Sequence, residues 1–239
     1  MKDGISYYQK KLRLSKSLVE IYDSIPYNNK DQFMHDLLKT LYEERLMNIV
    51  ERNIKASRLP SLKTFDDFSY KDITFPEKFT PEIMESLDFV DKKENLIFYG
   101  RIGSGKTHLA LALGLSALRK QKQVVFYTLH DLVNALVKAK ETHQFDRFMT
   151  KLLKNDLIIL DEWGYLPLHQ EGARLLFEVI GKCYEQKSLI ITTNMEFSHW
   201  KNFLFDEKLT IAILDRIIHY SNLVIFDRDS WRKERALMK

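Results

Sequence analysis

The apolar positions of this chain follow two different periods, and the change from one to the other divides it. Met34, Leu37, Leu38, Leu41, Tyr42, Leu46, Ile49, Val50 and Ile54 recur at spacings of three and four, which puts them on one face of a helix. Glu43, Glu44, Arg45, Glu51, Arg52 and Lys55 fall on the other face. An earlier helix is expected over residues 5–24, ended by Pro26 and the Asn28-Asn29 pair. Pro60 closes this helical region. Residues 61–92 read as a connector with one short helix, opening after Thr80 with Pro81 at its first position.

From residue 94 short apolar strands alternate with longer helices. The strands are expected at Leu96–Tyr99, Val124–Tyr127, Leu157–Leu160, Leu189–Thr192 and Leu223–Phe226. Helices fit 106–120, 131–154 with a break near Thr142, 170–186 and 208–220. The strands are continuous apolar runs, as expected where helices cover both faces of a sheet. Their order predicts an α/β fold with a five-stranded parallel sheet and right-handed crossovers. The domains expected are a helical one over 1–65 and an α/β one over 66–239, with 66–93 leading into its core.

Composition narrows the setting. Of 239 residues 45% are hydrophobic, ample for a buried core. No apolar run approaches the roughly 18 residues of a membrane span, and Met1 to Ser6 hold no apolar signal core, so neither membrane nor export is expected. The single cysteine, Cys183, lies in a helical pattern and cannot form an intrachain disulfide, which fits a reduced, cytoplasmic compartment. Residues 1–65 hold 12 Lys and Arg against 8 Asp and Glu, while the other 174 hold 25 of each. All the excess positive charge therefore sits in the first quarter of the chain, a mild pointer to an anionic partner.

The chemistry enters with Gly100-Arg101-Ile102-Gly103-Ser104-Gly105-Lys106-Thr107, a complete G-x-x-x-x-G-K-[ST] loop between a predicted strand and a predicted helix. Glycines let successive N–H groups turn around a phosphate, and the helix N-terminus adds positive potential. Lys106 can reach the β- and γ-phosphates of ATP, and the Thr107 hydroxyl can ligate Mg²⁺. Leu157-Ile158-Ile159-Leu160-Asp161-Glu162 is a strand ending in two carboxylates. At the carboxyl edge of a parallel sheet Asp161 can hold the metal and Glu162 can polarise the attacking water. Leu189-Ile190-Ile191-Thr192-Thr193-Asn194 ends a third strand, where Asn194 can orient that water, contact the γ-phosphate or serve as an ordinary turn residue.

With these residues in view the chain resembles an AAA+ ATPase of the helicase-loader branch (DnaC- and DnaI-like), and most of all the IstB-type ATP-binding helpers of insertion sequences. The likeness runs from Ala56-Ser57-Arg58-Leu59-Pro60 and Phe65-Asp66-Asp67-Phe68 through Gly105-Lys106-Thr107-His108-Leu109-Ala110. It continues through Asp161-Glu162-Trp163-Gly164-Tyr165-Leu166-Pro167-Leu168, the most specific run, to Ala173-Arg174-Leu175-Leu176-Phe177 and Ala212-Ile213-Leu214-Asp215-Arg216. Arg101-Ile102 stands where that family usually has two prolines, which only stiffen the loop. The resemblance implies a nucleotide-contacting stretch from Gly100 to His108. It also implies an arginine finger at Arg216 that serves a neighbouring subunit, where the residues alone suggest a surface ion pair with Asp215. Arg232 matches a second sensor arginine, and extra helical residues within 129–154 imply spiral stacking of subunits. Only 13 residues follow the last predicted strand, so no C-terminal lid domain is expected; the nucleotide is then covered partly by the N-terminal helices or by a neighbouring subunit, which predicts an ATP-dependent homo-oligomer.

The implied function is a transposition helper that assembles with ATP and Mg²⁺ on duplex DNA, hydrolyses ATP and stimulates the transposase of the same element. The alternative is a replicative helicase loader acting on single-stranded DNA and a hexameric helicase. A small-molecule P-loop kinase would need an arginine-rich lid, and a scaffold would use ATP only as an assembly switch. Candidate DNA contacts are Lys10, Lys11, Arg13 and Lys16, and Arg232, Lys233, Arg235 and Lys239; a solvated charged face accounts for either cluster equally.

Overall fold

The structure is a computed structural model that describes residues 2–27, 29–200 and 207–230. The chain forms two compact units, 1–52 and 53–239.

The first unit is helical. α1 (Lys2–Lys11) and α2 (Leu18–Ser24) precede α3 (Lys30–Ala56), whose last turn belongs to the second unit. The single helix expected over 5–24 is thus two helices. The chain turns at Arg13, which takes the left-handed φ of 53°. Ser15 and Ser17 then give their hydroxyl protons to one Glu44 oxygen, at 2.7 and 2.5 Å. Those two bonds hold the Glu44 carboxyl below its ordinary range. Tyr22 packs edge-on against Phe33, with ring centres 5.5 Å apart.

The second unit is an α/β layer structure. Its strands are β1 (Ile73–Thr74), β2 (Asn95–Gly100), β3 (Val124–Thr128), β4 (Leu157–Trp163), β5 (Ser188–Thr193) and β6 (Ser221–Phe226). They lie in the order β1-β6-β2-β5-β4-β3. The five expected strands are all present and mutually parallel. The sheet also has a sixth member: β1 pairs antiparallel with β6 at the edge, Ile73 opposite Phe226. A two-residue strand carries no readable periodicity, and it is held by its partner.

Strand residues alternate between two cores, which explains their unbroken apolar runs. Leu96, Phe98, Leu157, Ile159 and Ile190 join one core with α4 (Pro81–Ser86), α5 (Asp88–Asp91) and α6 (Lys106–Arg119). Ile97, Ile158, Leu160, Leu189 and Ile191 join the other. That core is completed by α7 (Leu129–Glu141), α8 (Phe145–Leu152), α9 (Gln170–Cys183) and α10 (Glu207–His219). The break expected near Thr142 separates α7 from α8. Thr80 caps α4 through the Ile83 amide and Pro81 opens it, as anticipated, although the connector holds a second short helix, α5. Cys183 is buried, and burial pushes its thiol up to about 12. Among the described residues no helix is long and apolar enough to cross a membrane.

Candidate active site

The parallel register brings four chain segments to one edge of the sheet. Tyr99 of β2 lies beside Thr193 of β5 and Ile225 of β6, and Trp163 of β4 lies beside Thr193. The loop 100–107, the Asp161-Glu162 pair and Asn194 therefore all leave the carboxyl edge of the sheet. Ligands bind at this edge in open α/β folds.

The loop depends on backbone that only glycine adopts readily. Gly103 and Gly105 take φ of 81° and 97°, and Gly105 immediately precedes α6. Lys106 is buried, and its ammonium donates to the carbonyls of Gly100 at 2.8 Å and Arg101 at 2.7 Å. The side chain is thus folded back over the loop, where a phosphate would meet it. Ser104 is buried, whereas Ile102 stands exposed at the tip. The Arg101 guanidinium turns outward to Asp229, 2.8 Å away. His108 is turned away from the loop: its Nε2 lies 3.0 Å from the Thr64 carbonyl and its ring 5.4 Å from that of Phe68. The residue joins α6 to the 64–68 segment.

Asp161 is 5% exposed and its carboxylate faces the start of α6. The Thr107 hydroxyl donates to it, 2.9 Å from Oδ1 and 3.2 Å from Oδ2, and the Thr192 hydroxyl donates to Oδ1 as well. Thr192 in turn accepts the Glu162 amide at 3.1 Å. Between Leu160 and Trp163 the β4–β5 register slips by one residue, and within this bulge Glu162 takes a left-handed φ of 61°. Consecutive residues of a regular strand point to opposite faces. Here the bulge leaves Asp161 buried against α6 and Glu162 exposed at the same edge. A non-glycine residue in this conformation costs on the order of 1–3 kcal/mol, and such strain collects at functional sites.

The donor set fits the groups implied by the sequence. Among the described residues no cluster of three or more His, Cys, Asp or Glu side chains could hold a metal alone. Thr107 and Asp161 instead supply two hard oxygens, as suits a magnesium ion that takes its remaining ligands from phosphate and water.

The model of the IstB-like ATP binding protein family matches residues 13–238. The chain belongs to that family. Relatives include the protein named as ATP-binding for insertion sequence IS5376 of Geobacillus stearothermophilus, 33% identical over all of this chain and 98% of its own length. Another, named likewise for IS21 of Pseudomonas aeruginosa, is 36% identical over 85% of this chain and 77% of its own. Among solved structures the DnaC helicase loader matches with a TM-score of 0.51 and 24% identity, over 61% of this chain and 88% of that one. AMPPCP-bound DnaA from Aquifex aeolicus matches with a TM-score of 0.56 and 20% identity, over 72% of this chain and 52% of that one. These structures share the fold, the AAA+ α/β arrangement around a phosphate loop.

Within this IstB-like chain the remaining expected residues fall as follows. Asn194 lies in an exposed bend just after β5. Arg216 lies one turn from the end of α10, which leads into the opposite, amino-terminal end of β6. Its guanidinium stacks 4.6 Å from the Phe177 ring and donates to the Ala212 carbonyl at 3.3 Å. The ion pair with Asp215 that the residues alone suggested is not formed among the described residues; the cation faces the α9 aromatic ring. Arg232, with Lys233, Arg235 and Lys239, lies outside the described residues. Thr192 was missed as a site residue. Its only sequence signal was a hydroxyl at the end of an apolar strand. Arg228 was missed too, since the carbonyls it bonds include those of Ser104 and Ser69, distant in sequence.

Proposed function

We propose that this chain is an ATP-hydrolysing helper of transposition that assembles as a homo-oligomer on duplex target DNA and stimulates the transposase of its element. One observation carries the hydrolytic part: Asp161 is fixed by Thr107 and Thr192 at the mouth of the phosphate loop, with Glu162 exposed beside it. The insertion-sequence names of the relatives support the setting.

The residues divide the chemistry as follows. The amides from Gly100 to Thr107 cradle the phosphates, and Lys106 moves from the loop carbonyls to the β- and γ-phosphates. Thr107 and Asp161 would hold Mg²⁺, which supplies positive charge to the phosphate oxygens. Asn194 orients the attacking water and Glu162 takes its proton. The water oxygen bonds to the γ-phosphorus, the bond from that phosphorus to the bridging oxygen breaks, and ADP leaves with inorganic phosphate. Arg216 completes the site of the neighbouring subunit, and Arg232 is assigned to sensing the nucleotide.

Lys10, Lys11, Arg13 and Lys16 are exposed in the helical region 1–65, the part to which duplex contact is assigned. Contacts to phosphate by such residues are independent of base sequence and weaken steeply with salt. Buried, reduced Cys183 accords with a cytoplasmic setting.

The test is ATP hydrolysis alone, with duplex and with single-stranded DNA, against Lys106→Ala. Stimulation by duplex is expected. Preference for single strands would transfer the reading to a helicase loader, and equal rates in wild type and Lys106→Ala would remove it.

A further inference from the structure

The segment leaving β6 runs back along the phosphate loop. Phe226 is paired with Gly100 in the sheet, Asp229 holds Arg101 at 2.8 Å, and Ser230 lies so close to Gly103 that a methyl group there would strike its hydroxyl. Arg228, between Phe226 and Asp229, is buried too, 8% exposed. Its guanidinium lies 4.9 Å from the Phe68 ring and 5.9 Å from the Phe226 ring. Nε donates to the Ser104 carbonyl, and Nη1 donates to the Ser69 carbonyl at 2.8 Å. A methyl group on Gly105 would collide with Nη2.

We propose that Arg228 is a positioning residue for the β-phosphate, its buried fork fixing the Ser104–Gly105 peptide so that the Gly105 N–H is presented to bound nucleotide. The inference rests on the nucleotide reading above. A trans peptide is planar, with its C=O and N–H pointing in opposite directions. With the Ser104 carbonyl taken by Arg228, the Gly105 N–H must point away from Arg228. Phosphate loops bind through amides aligned in this way. The guanidinium also sets a cation against the loop. Bonding Ser69 at the same time, it fixes the segment before the core and the loop to each other.

The test compares ADP and AMP, measured by displacement of a fluorescent ATP analogue, for wild type, Lys106→Ala, Arg228→Lys and Arg228→Met. Each protein is melted first without nucleotide. Lysine keeps the charge but cannot bond both carbonyls in the same geometry. Arg228→Lys is expected to weaken ADP about tenfold or more, the scale of one lost charge-assisted hydrogen bond. AMP, which has no β-phosphate, is expected to change less than about twofold. Unchanged ADP affinity in folded Arg228→Lys overturns the proposal. So does an equal loss on ADP and AMP, which a merely structural role would give. Should Arg228→Met not fold, Arg228→Lys carries the comparison. If Lys106→Ala binds ADP like wild type, the nucleotide reading itself falls; if it loses ADP while Arg228→Lys does not, only the role of Arg228 falls.

Discussion

The hydroxyl of Thr192 donates to Oδ1 of Asp161, the same carboxylate oxygen that Thr107 reaches at 2.9 Å. One strand-end threonine thus fixes the carboxylate from β5 while a helix-start threonine holds it from α6. The same Thr192 oxygen accepts the Glu162 amide, so a single side chain sets the orientation of both acidic residues.

Thr192→Val keeps the shape and removes both bonds. Losing a donor to a buried carboxylate costs about 1.5–3 kcal/mol. The expected result is a hydrolysis rate lowered about 10- to 100-fold at limiting Mg²⁺ and partly restored at high Mg²⁺, since Asp161 would still be present but less well aimed. A magnesium titration of the rate checks this. An unchanged rate at limiting Mg²⁺ would deny Thr192 any part in the site.

Glu162 is exposed and left-handed, so its carboxylate bears little of the fold beyond its own backbone. Glu162→Gln preserves size and polarity but cannot take a proton. Hydrolysis should fall on the order of 10²- to 10⁴-fold, the usual worth of a general base, while ATP affinity stays near wild type. Equilibrium binding and single-turnover hydrolysis separate the two quantities. A variant that hydrolyses normally would return Glu162 to the role of a turn residue.

What was legible in the sequence follows from the range of the interactions. The five parallel strands could be read because each is a continuous apolar run, and the phosphate loop because its eight residues are contiguous. Asp161 and Glu162 could be read because they end such a run. The break inside 5–24 could not, since Ser15 and Ser17 close on Glu44 some thirty positions away. Nor could β1, which pairs with a strand at the other end of the chain, or Arg228, whose contacts reach back to Ser104 and Ser69. The bulge that holds Glu162 left-handed beside Asp161 arises from pairing with β5, and the strand's own residues carry no mark of it.

The Glu44 carboxyl gives the first unit a pH dependence of definite sign. Its hydrogen bonds from Ser15 and Ser17 lower its folded value below the unfolded one. Stability from this contact is therefore present above the ordinary carboxylate range and is lost as pH falls through the lowered folded value. Acidification should release the Ser15–Ser17 turn from α3, and Glu44→Gln should flatten that step. Proton NMR of residues in the 12–18 turn reads it directly. A transition of the same size in Glu44→Gln would assign the acid sensitivity to other groups.

Arg216 offers the sharpest distinction between one chain and an assembly. It lies near the end of α10 that feeds the amino-terminal end of β6, while the phosphate loop leaves the carboxyl end of the neighbouring β2. Within one chain the guanidinium therefore does not serve that chain's own loop, and it rests, partly buried, on Phe177. A finger acting across a subunit boundary accelerates phosphoryl transfer by about 10³- to 10⁵-fold. Arg216→Ala should hence be nearly inactive while binding ATP normally, and Lys106→Ala should be inactive because it does not bind. Mixed together, the two variants share interfaces at which an intact loop meets an intact Arg216. Recovery of hydrolysis in the mixture, rising with total protein concentration, is the expected outcome. If Arg216→Ala alone retains full activity, the residue is a surface cation packed on an aromatic ring. If it is inactive and the mixture stays silent, Arg216 acts within its own chain.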